Sequence, residues 1–248
     1  MKEGFAQYPS LENKTVLITG GASGIGASLV EHFAQQKARV AFFDITKDAG
    51  KELAAKVGAH FIHTDVRDHE NLKKSVVSLA GEWGEIHALI NNAANDDRHD
   101  WLEVDSAYFD DRIALNLKHA FFMSQFCVPY MKKGASIINM GSCSWINGTR
   151  NAVIYATAKS AIVGLTRTLA KELGERHIRV NCIQPGWIMT ERQIKLWLTP
   201  EGEKEIFTNQ CLPEKLYPED ISRMALWLAA EDSRLVSRQC FTVDGGWI

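Results

Sequence analysis

Tyr155 and Lys159 stand four residues apart in the stretch VIYATAKSAIVG, Val153–Gly164. On a helix that spacing puts both side chains on one face, about one turn apart. A phenol ionises near pH ~10 and is a poor base at neutral pH. An ammonium beside it favours the phenolate and lowers that value. The pair could then take a proton from an alcohol, or return one in the reverse direction. The same spacing also suits an aromatic residue and a snorkelling lysine that merely share a face. Ser142 favours catalysis: it lies 13 residues before the tyrosine, just past a β-rich run, where its hydroxyl can bond a reacting oxygen. Asn116, in IALNLKHAFF, reads equally well alone as a polar helix residue or a functional one.

Other chemistries fit less well. MGSCSW around Ser142 lacks the Gly-x-Ser-x-Gly of a nucleophile elbow, and Cys143 has no evident base, which argues against a hydrolase. His60 and His63 are three apart on an expected strand and so face opposite sides, which disfavours a zinc site; no metal is expected.

A second constellation opens the chain. TVLITGGASGIGASLVEHFA reads as strand, glycine turn and helix. Gly20 permits a tight turn, Gly24 lets backbone approach a pyrophosphate, and Gly26 lets helix pack on strand. Exposed N–H groups at the helix start attract phosphates. The spacing is Gly-x-x-x-Gly-x-Gly rather than Gly-x-Gly-x-x-Gly. Asp44 ends the second strand, 18 residues beyond Gly26, where a carboxylate can hold both ribose hydroxyls of adenosine. It also repels a 2′-phosphate, by ~4 kcal/mol for charges ~4 Å apart at an effective dielectric of ~20. No cation at Ser23, Ile45 or Thr46 offsets this, so NAD is expected over NADP.

The elements that must position these groups alternate. Strands are expected at Thr15–Thr19, Arg39–Phe43, Phe61–Thr64, Ala88–Ile90, Ser136–Met140, Val180–Ile183 and Phe241–Val243. Several are apolar on both faces, as central parallel strands must be. Helices are expected at Ile25–Gln36, Asp48–Val57, Glu70–Trp83, Ser106–Met131, Asn151–Leu173 and Glu219–Ala230. This order implies an α/β fold: one Rossmann-type domain over residues 1–248 with a doubly wound parallel sheet of about seven strands. A lid insertion of about 187–217 would precede the last strand.

The 248 residues, 46% hydrophobic with a net charge of −2, suffice for one large core and carry no basic stripe for nucleic acid. No apolar run reaches the ~20 residues that span a bilayer. The polar start lacks a signal-peptide core, and five cysteines without CxxC spacing fit a reduced, cytoplasmic protein.

Thr19–Gly26 (TGGASGIG), Asp65–Val66, Asn91–Ala94 (NNAA), Asn116, Ser142, Tyr155-x-x-x-Lys159 and Pro185–Gly186 occur in order. Together they resemble the short-chain dehydrogenase/reductase family over essentially the whole chain. The resemblance implies a catalytic set of Asn116, Ser142, Tyr155 and Lys159, with Asn116 holding a water behind the lysine and Lys159 also binding the nicotinamide ribose. It implies a cofactor site of Gly20, Ser23, Gly24, Ile25, Gly26, Asp44, Asp65, Val66, Asn92, Tyr155, Lys159, Pro185, Gly186, Ile188 and Thr190. Within it, Asp65 would bond the adenine amine, Val66 would touch the ring, and Ile188 and Thr190 would hold the nicotinamide amide; Asn91 would brace the sheet beside it. The family usually has glycine where this chain has Ala94.

The expected substrate entrance is polar. Asn95, Trp145, Asn147, Trp187 and Gln193, with Ser142 and Tyr155, suit a sugar, whose edge carries hydroxyls and whose face carries C–H groups. Asp96, Asp97 and Asp100 in NDDRHD read as a solvated loop. NDDRH, GSCSW, TPEGE and QCL resemble the family's NAD-dependent aldose 1-dehydrogenase branch, which implies oxidation of a cyclic anomeric alcohol to a lactone. A pentose is expected, with xylose, arabinose or a deoxyhexose open. Another alcohol or ketone, such as a sugar acid, polyol or acyl chain, is the alternative. The apolar character of 106–131 and of 151–173, including Ala158, Ile162, Val163, Leu165 and Leu169, suggests helices that also face another subunit. The resemblance implies a homotetramer. Trp247 and Ile248 are candidates for a second interface or a tail buried within one subunit.

Overall fold

The computed structural model describes residues 5–248. Among the described residues, seven strands form one sheet: β1 (Thr15–Thr19), β2 (Arg39–Asp44), β3 (His60–His63), β4 (Ala88–Asn91), β5 (Ser136–Met140), β6 (Arg179–Pro185) and β7 (Cys240–Val243). Their order is β3-β2-β1-β4-β5-β6-β7, and every pairing is parallel. The helices are α1 (Gly24–Gln35), α2 (Lys47–Val57), α3 (His69–Trp83), α4 (Ser106–Ile113), α5 (His119–Cys127), α6 (Ser144–Asn147), α7 (Val153–Glu172), α8 (Glu191–Leu196), α9 (Pro200–Asn209) and α10 (Pro218–Ala229).

Strand periodicity builds a core on each face. Val16 and Ile18 point to one side with Leu29, Phe33, Ile221 and Leu226 from α1 and α10. Leu17 points to the other with Leu72, Val76, Met123 and Ala170 from α3, α5 and α7. All of β1, β4, β5 and β6 are buried. Because β1 pairs with both β2 and β4, the chain reverses its direction of winding there. The crevice at the C-terminal ends of strands beside such a reversal is where ligands bind in open α/β sheets.

Three expectations need correction. The single helix over 106–131 is interrupted by a π turn at Ala114–Lys118 and ends in a 3-10 turn at Val128–Tyr130 containing Pro129. The helix expected from Asn151 starts at Val153, because Asn151 takes a left-handed φ of 57° that helical backbone does not use. On that helix Ala158 and Ile162 are buried within this chain and offer no second face; Val163, Leu165 and Leu169 are only partly covered. The segment expected as a lid carries two helices, α8 and α9, started by Thr190 and Thr199, whose hydroxyls accept from the backbone N–H groups of Gln193 and Gly202. His60 packs edge-on to Trp83, whereas the His63 ring lies 3.0 Å from the Ile45 carbonyl. No helix among the described residues is long and apolar enough to cross a membrane.

Candidate active site

One cleft of about 1430 Å³ runs across the C-terminal ends of β1, β2, β4, β5 and β6. Its first wall is the glycine turn. Gly20 has φ +67° and Gly24 φ +53°. A Cβ on Gly20 would lie 2.7 Å from the Ala93 Cα, and one on Gly26 only 1.7 Å from the Gly20 carbonyl oxygen. Glycine is therefore required both for the turn and for the approach of α1 to β1. Asn92 locks the turn: its Nδ2 donates to the carbonyls of Thr19 and Gly20, both at 3.0 Å. The Thr19 hydroxyl accepts from the N–H groups of Asn92 and Ala93, each at 3.0 Å. Ala94 lines the cleft and is not among the positive-φ residues, so the glycine usual in the family is not required by the backbone here.

Asp44 closes the far side of the turn. Its Oδ2 accepts from Ala22 N–H at 2.9 Å and its Oδ1 from Thr46 N–H at 2.8 Å. The carboxylate is thereby fixed in place with lone pairs left for a ligand. Ser23, Gly24, Ile25 and Gly26 line the cleft at the N-terminus of α1, a place suited to phosphate. Asp65, Val66, Asn92, Pro185, Gly186, Ile188 and Thr190 line it too. A cradle that a Cβ would fill, N–H groups at a helix start and a fixed carboxylate together fit a dinucleotide. Asn91 braces β4 to β5, donating to Asn139 Oδ1 at 2.8 Å.

The catalytic candidates meet on the cleft floor. Ser142, Tyr155 and Lys159 all line it, and the Ser142 hydroxyl accepts from Ser144 N–H at 3.1 Å. The ammonium of Lys159 is buried, donates to the Met140 carbonyl at 2.7 Å, and lies 5.7 Å from the Tyr155 ring centre. Burial lowers Lys159 to about 8. Tyr155 is pushed up to about 12, chiefly by burial of its phenol end, with Ser142 and Arg98 opposing and Asp96 and Cys143 adding. The expected lowering of the phenol by Lys159 is thus absent from the protein alone; desolvation dominates.

Asn116 sits buried in the π turn. Its Nδ2 donates to the Arg112 carbonyl at 3.0 Å, and its Oδ1 accepts from Asn95 N–H at 2.9 Å. It therefore positions the loop after β4 and does not itself line the cleft. His119 is a buried residue that sequence reasoning missed. Its Nδ1 lies 2.6 Å from the Leu115 carbonyl, which can only accept, so that nitrogen carries the proton. Nε2 then faces the Thr19 hydroxyl at 3.5 Å, and burial holds the imidazole down at about 3.

At the substrate end, Asn95, Ser142, Asn147, Tyr155, Trp187 and Gln193 all line the cleft. Trp145 does not; it is 38% exposed on α6. Both ends of the Gln193 amide are used within the protein: Oε1 accepts from Trp187 Nε1 at 3.0 Å, and Nε2 donates to Asp96 at 2.7 Å. The expectation of a solvated acidic loop fails for Asp96 and Asp97. Arg192 on the lid reaches Asp97 at 2.8 Å and Asp96 at 3.4 Å, and Arg112 holds Asp97 at 2.8 Å. Asp100 is exposed and caps a 3-10 turn. Trp247 lines the cleft rather than lying remote at a chain end, while Ile248 is exposed. Arg192 and Trp247 come from segments without periodicity, so only the folded chain brings them here.

Residues 20–248 match the family described as enoyl-(acyl carrier protein) reductase. The chain is 44% identical to D-xylose 1-dehydrogenase of Caulobacter vibrioides over 98% of each protein. It is 41% identical to the probable galactose dehydrogenase GalD of Rhizobium meliloti over 97% of each. A blue fluorescent protein from a metagenomic library, solved in complex with NADPH, superposes with a TM-score of 0.89 at 30% identity, covering 96% of this chain and 99% of that one.

Proposed function

From the premise that this chain belongs to the short-chain dehydrogenase/reductase family of nicotinamide-dependent oxidoreductases, we propose that it oxidises the anomeric hydroxyl of an aldose, a pentose, to the lactone with NAD. The carrying observation is the meeting of Ser142 and Tyr155 on the floor of a cleft whose glycine turn, helix start and Asp44 suit a dinucleotide. The dinucleotide, when bound, accepts the hydride. Ser142 donates to the reacting oxygen and orients it toward Tyr155. Tyr155 takes the proton as phenolate, a state favoured once positive charge adds to that of Lys159. Lys159 holds the ribose hydroxyls and supplies that charge, while Asn116 fixes the loop that bounds the substrate.

A sugar is supported by the polar outer wall, where Asn95, Asn147 and Trp187 line the cleft, and by the two sugar dehydrogenases among the relatives. The fixed carboxylate of Asp44 supports NAD over NADP. Phe109, Phe121 and Val153, each 44–50% exposed on α4, α5 and α7, support a homotetramer. The cysteines are all free thiols, which supports a reducing, cytoplasmic setting. A panel of aldoses with NAD, followed by NADH absorbance near 340 nm, tests the reading. Turnover of an aldopentose supports it; activity confined to polyols, sugar acids or acyl thioesters overturns it in favour of another oxidoreductase of the family.

A further inference from the structure

His119 closes a chain of hydrogen bonds that runs from the π turn to the glycine turn. A hydroxyl has two lone pairs and one proton. The oxygen of Thr19 accepts two N–H groups, from Asn92 and from Ala93. With both lone pairs taken, its proton needs an acceptor, and His119 Nε2 faces it at 3.5 Å. That nitrogen is bare, because Nδ1 keeps its proton on the Leu115 carbonyl. Thr19 is fully buried and His119 is 1% exposed, so bulk water offers neither group a partner. Burial and the charge of Lys159 keep the imidazole neutral.

The π turn presents that imidazole. The His119 backbone N–H bonds the Ala114 carbonyl, five residues back, and the same turn places Asn116 on the Asn95 N–H. One turn of backbone therefore grips the segment after β4 at two points: Asn95 directly, and Asn92–Ala93 through Thr19. The glycine turn rests on that segment. Gly20 packs so closely that a Cβ on it would lie 2.7 Å from the Ala93 Cα, and Asn92 Nδ2 binds the Thr19 and Gly20 carbonyls. We infer that His119 is a positioning residue for the dinucleotide: by accepting the Thr19 proton it keeps both lone pairs of that hydroxyl on Asn92 and Ala93, and so fixes the wall behind the phosphate-binding turn. Without an acceptor at position 119, the hydroxyl leaves its proton buried and unpaired or rotates and releases one N–H. Either outcome falls on Gly20, Asn92 and Ala93, which line the dinucleotide end of the cleft, and not on Ser142 or Tyr155.

The inference rests on the dinucleotide reading above, and one double-mutant cycle separates the two. NAD is titrated into the unmodified protein, Thr19→Val, His119→Phe and the double variant while tryptophan fluorescence is read, and turnover at saturating NAD is measured beside it. His119→Phe is expected to weaken NAD about fivefold or more, with kcat at saturating NAD within about threefold. In the Thr19→Val background the same change is expected to cost less than about twofold, because the hydroxyl it serves is gone. NAD affinity unchanged in His119→Phe overturns the inference. So does an equal loss in both backgrounds, since the imidazole would then act by packing alone. No saturable NAD binding by the unmodified protein at millimolar concentration overturns the dinucleotide reading, and the inference with it. A measurement on the unmodified protein stands even where His119→Phe does not fold: ¹⁵N spectra of labelled histidine at neutral pH, with the His119 signal identified by its shift in Thr19→Val. The Nδ1–H tautomer is expected; the Nε2–H tautomer or an imidazolium overturns the inference.

Discussion

The Lys159 ammonium lies 5.7 Å from the centre of the Tyr155 ring but donates its hydrogen bond to the Met140 carbonyl, not to the phenol. The two groups share a helix face and a buried environment, and desolvation moves them in opposite directions: the phenol up to about 12 and the ammonium down to about 8. In the protein alone, burial therefore favours the neutral form of both groups.

That arrangement predicts how stability varies with pH. An unfolded lysine stays charged up to 10.5, whereas folded Lys159 does so only to about 8. Between those values the unfolded chain binds more protons, so this residue makes stability rise with pH. Tyr155 acts with opposite sign: its phenol ionises at 10.0 when unfolded and at about 12 when folded, so its contribution falls across that interval. Urea midpoints of the protein minus those of Lys159→Met should rise from about pH 8 to 10. A flat difference would contradict the burial of a charged lysine.

Tyr155→Phe removes the proton acceptor and keeps the ring. General-base catalysis contributes about 10²–10⁴-fold, so kcat/KM should fall by that range while NADH affinity, read by fluorescence, stays within about threefold. Retention of full turnover would exclude Tyr155 as the base.

Asp44 has two tasks, and its replacement should show both. Asp44→Ala removes the repulsion of a 2′-phosphate, so the NAD-to-NADP preference in kcat/KM should drop by about tenfold or more. It also frees the Ala22 and Thr46 N–H groups, so NAD affinity should weaken as well. Equal efficiency with both cofactors before any substitution would contradict the role given to Asp44.

The clasp between lid and loop should act on binding rather than chemistry. Arg192 is 45% exposed at its side chain, and such ion pairs contribute about 0.2–1 kcal/mol each. Arg192→Met should raise KM for the substrate by about two- to fivefold with kcat within about twofold. Raising the salt concentration should move the unmodified enzyme in the same direction. A loss confined to kcat would place Arg192 in the chemical step instead.

The strands of a parallel sheet and the residues Ser142, Tyr155 and Lys159 were legible in the sequence, because those depend on local signals; the order of the strands was not. Continuous apolar runs mark buried strands, and Gly20, Gly24 and Gly26 mark a turn that only glycine permits. The π turn at Asn116 was not legible, since it depends on bonds from Asn116 to Arg112 and Asn95. Nor was the fate of the acidic loop: Asp97 looks solvated until the fold brings Arg112 and Arg192 to it from 15 and 95 residues away. Gln193 reads as a sugar ligand from its type, but its bonds to Trp187 and Asp96 could not be read from the sequence. Long-range polar pairing leaves no periodic trace, so the lid side of the cleft was the part least open to sequence reasoning.

Carbon NMR on an aldopentose labelled at C1 with ¹³C, incubated with the protein and NAD, tests the central claim most directly. The predicted result is loss of the anomeric signals and appearance of a lactone carbonyl, matched mole for mole by NADH. NADH formation with the labelled carbon still anomeric, or no turnover of any aldose, would contradict it.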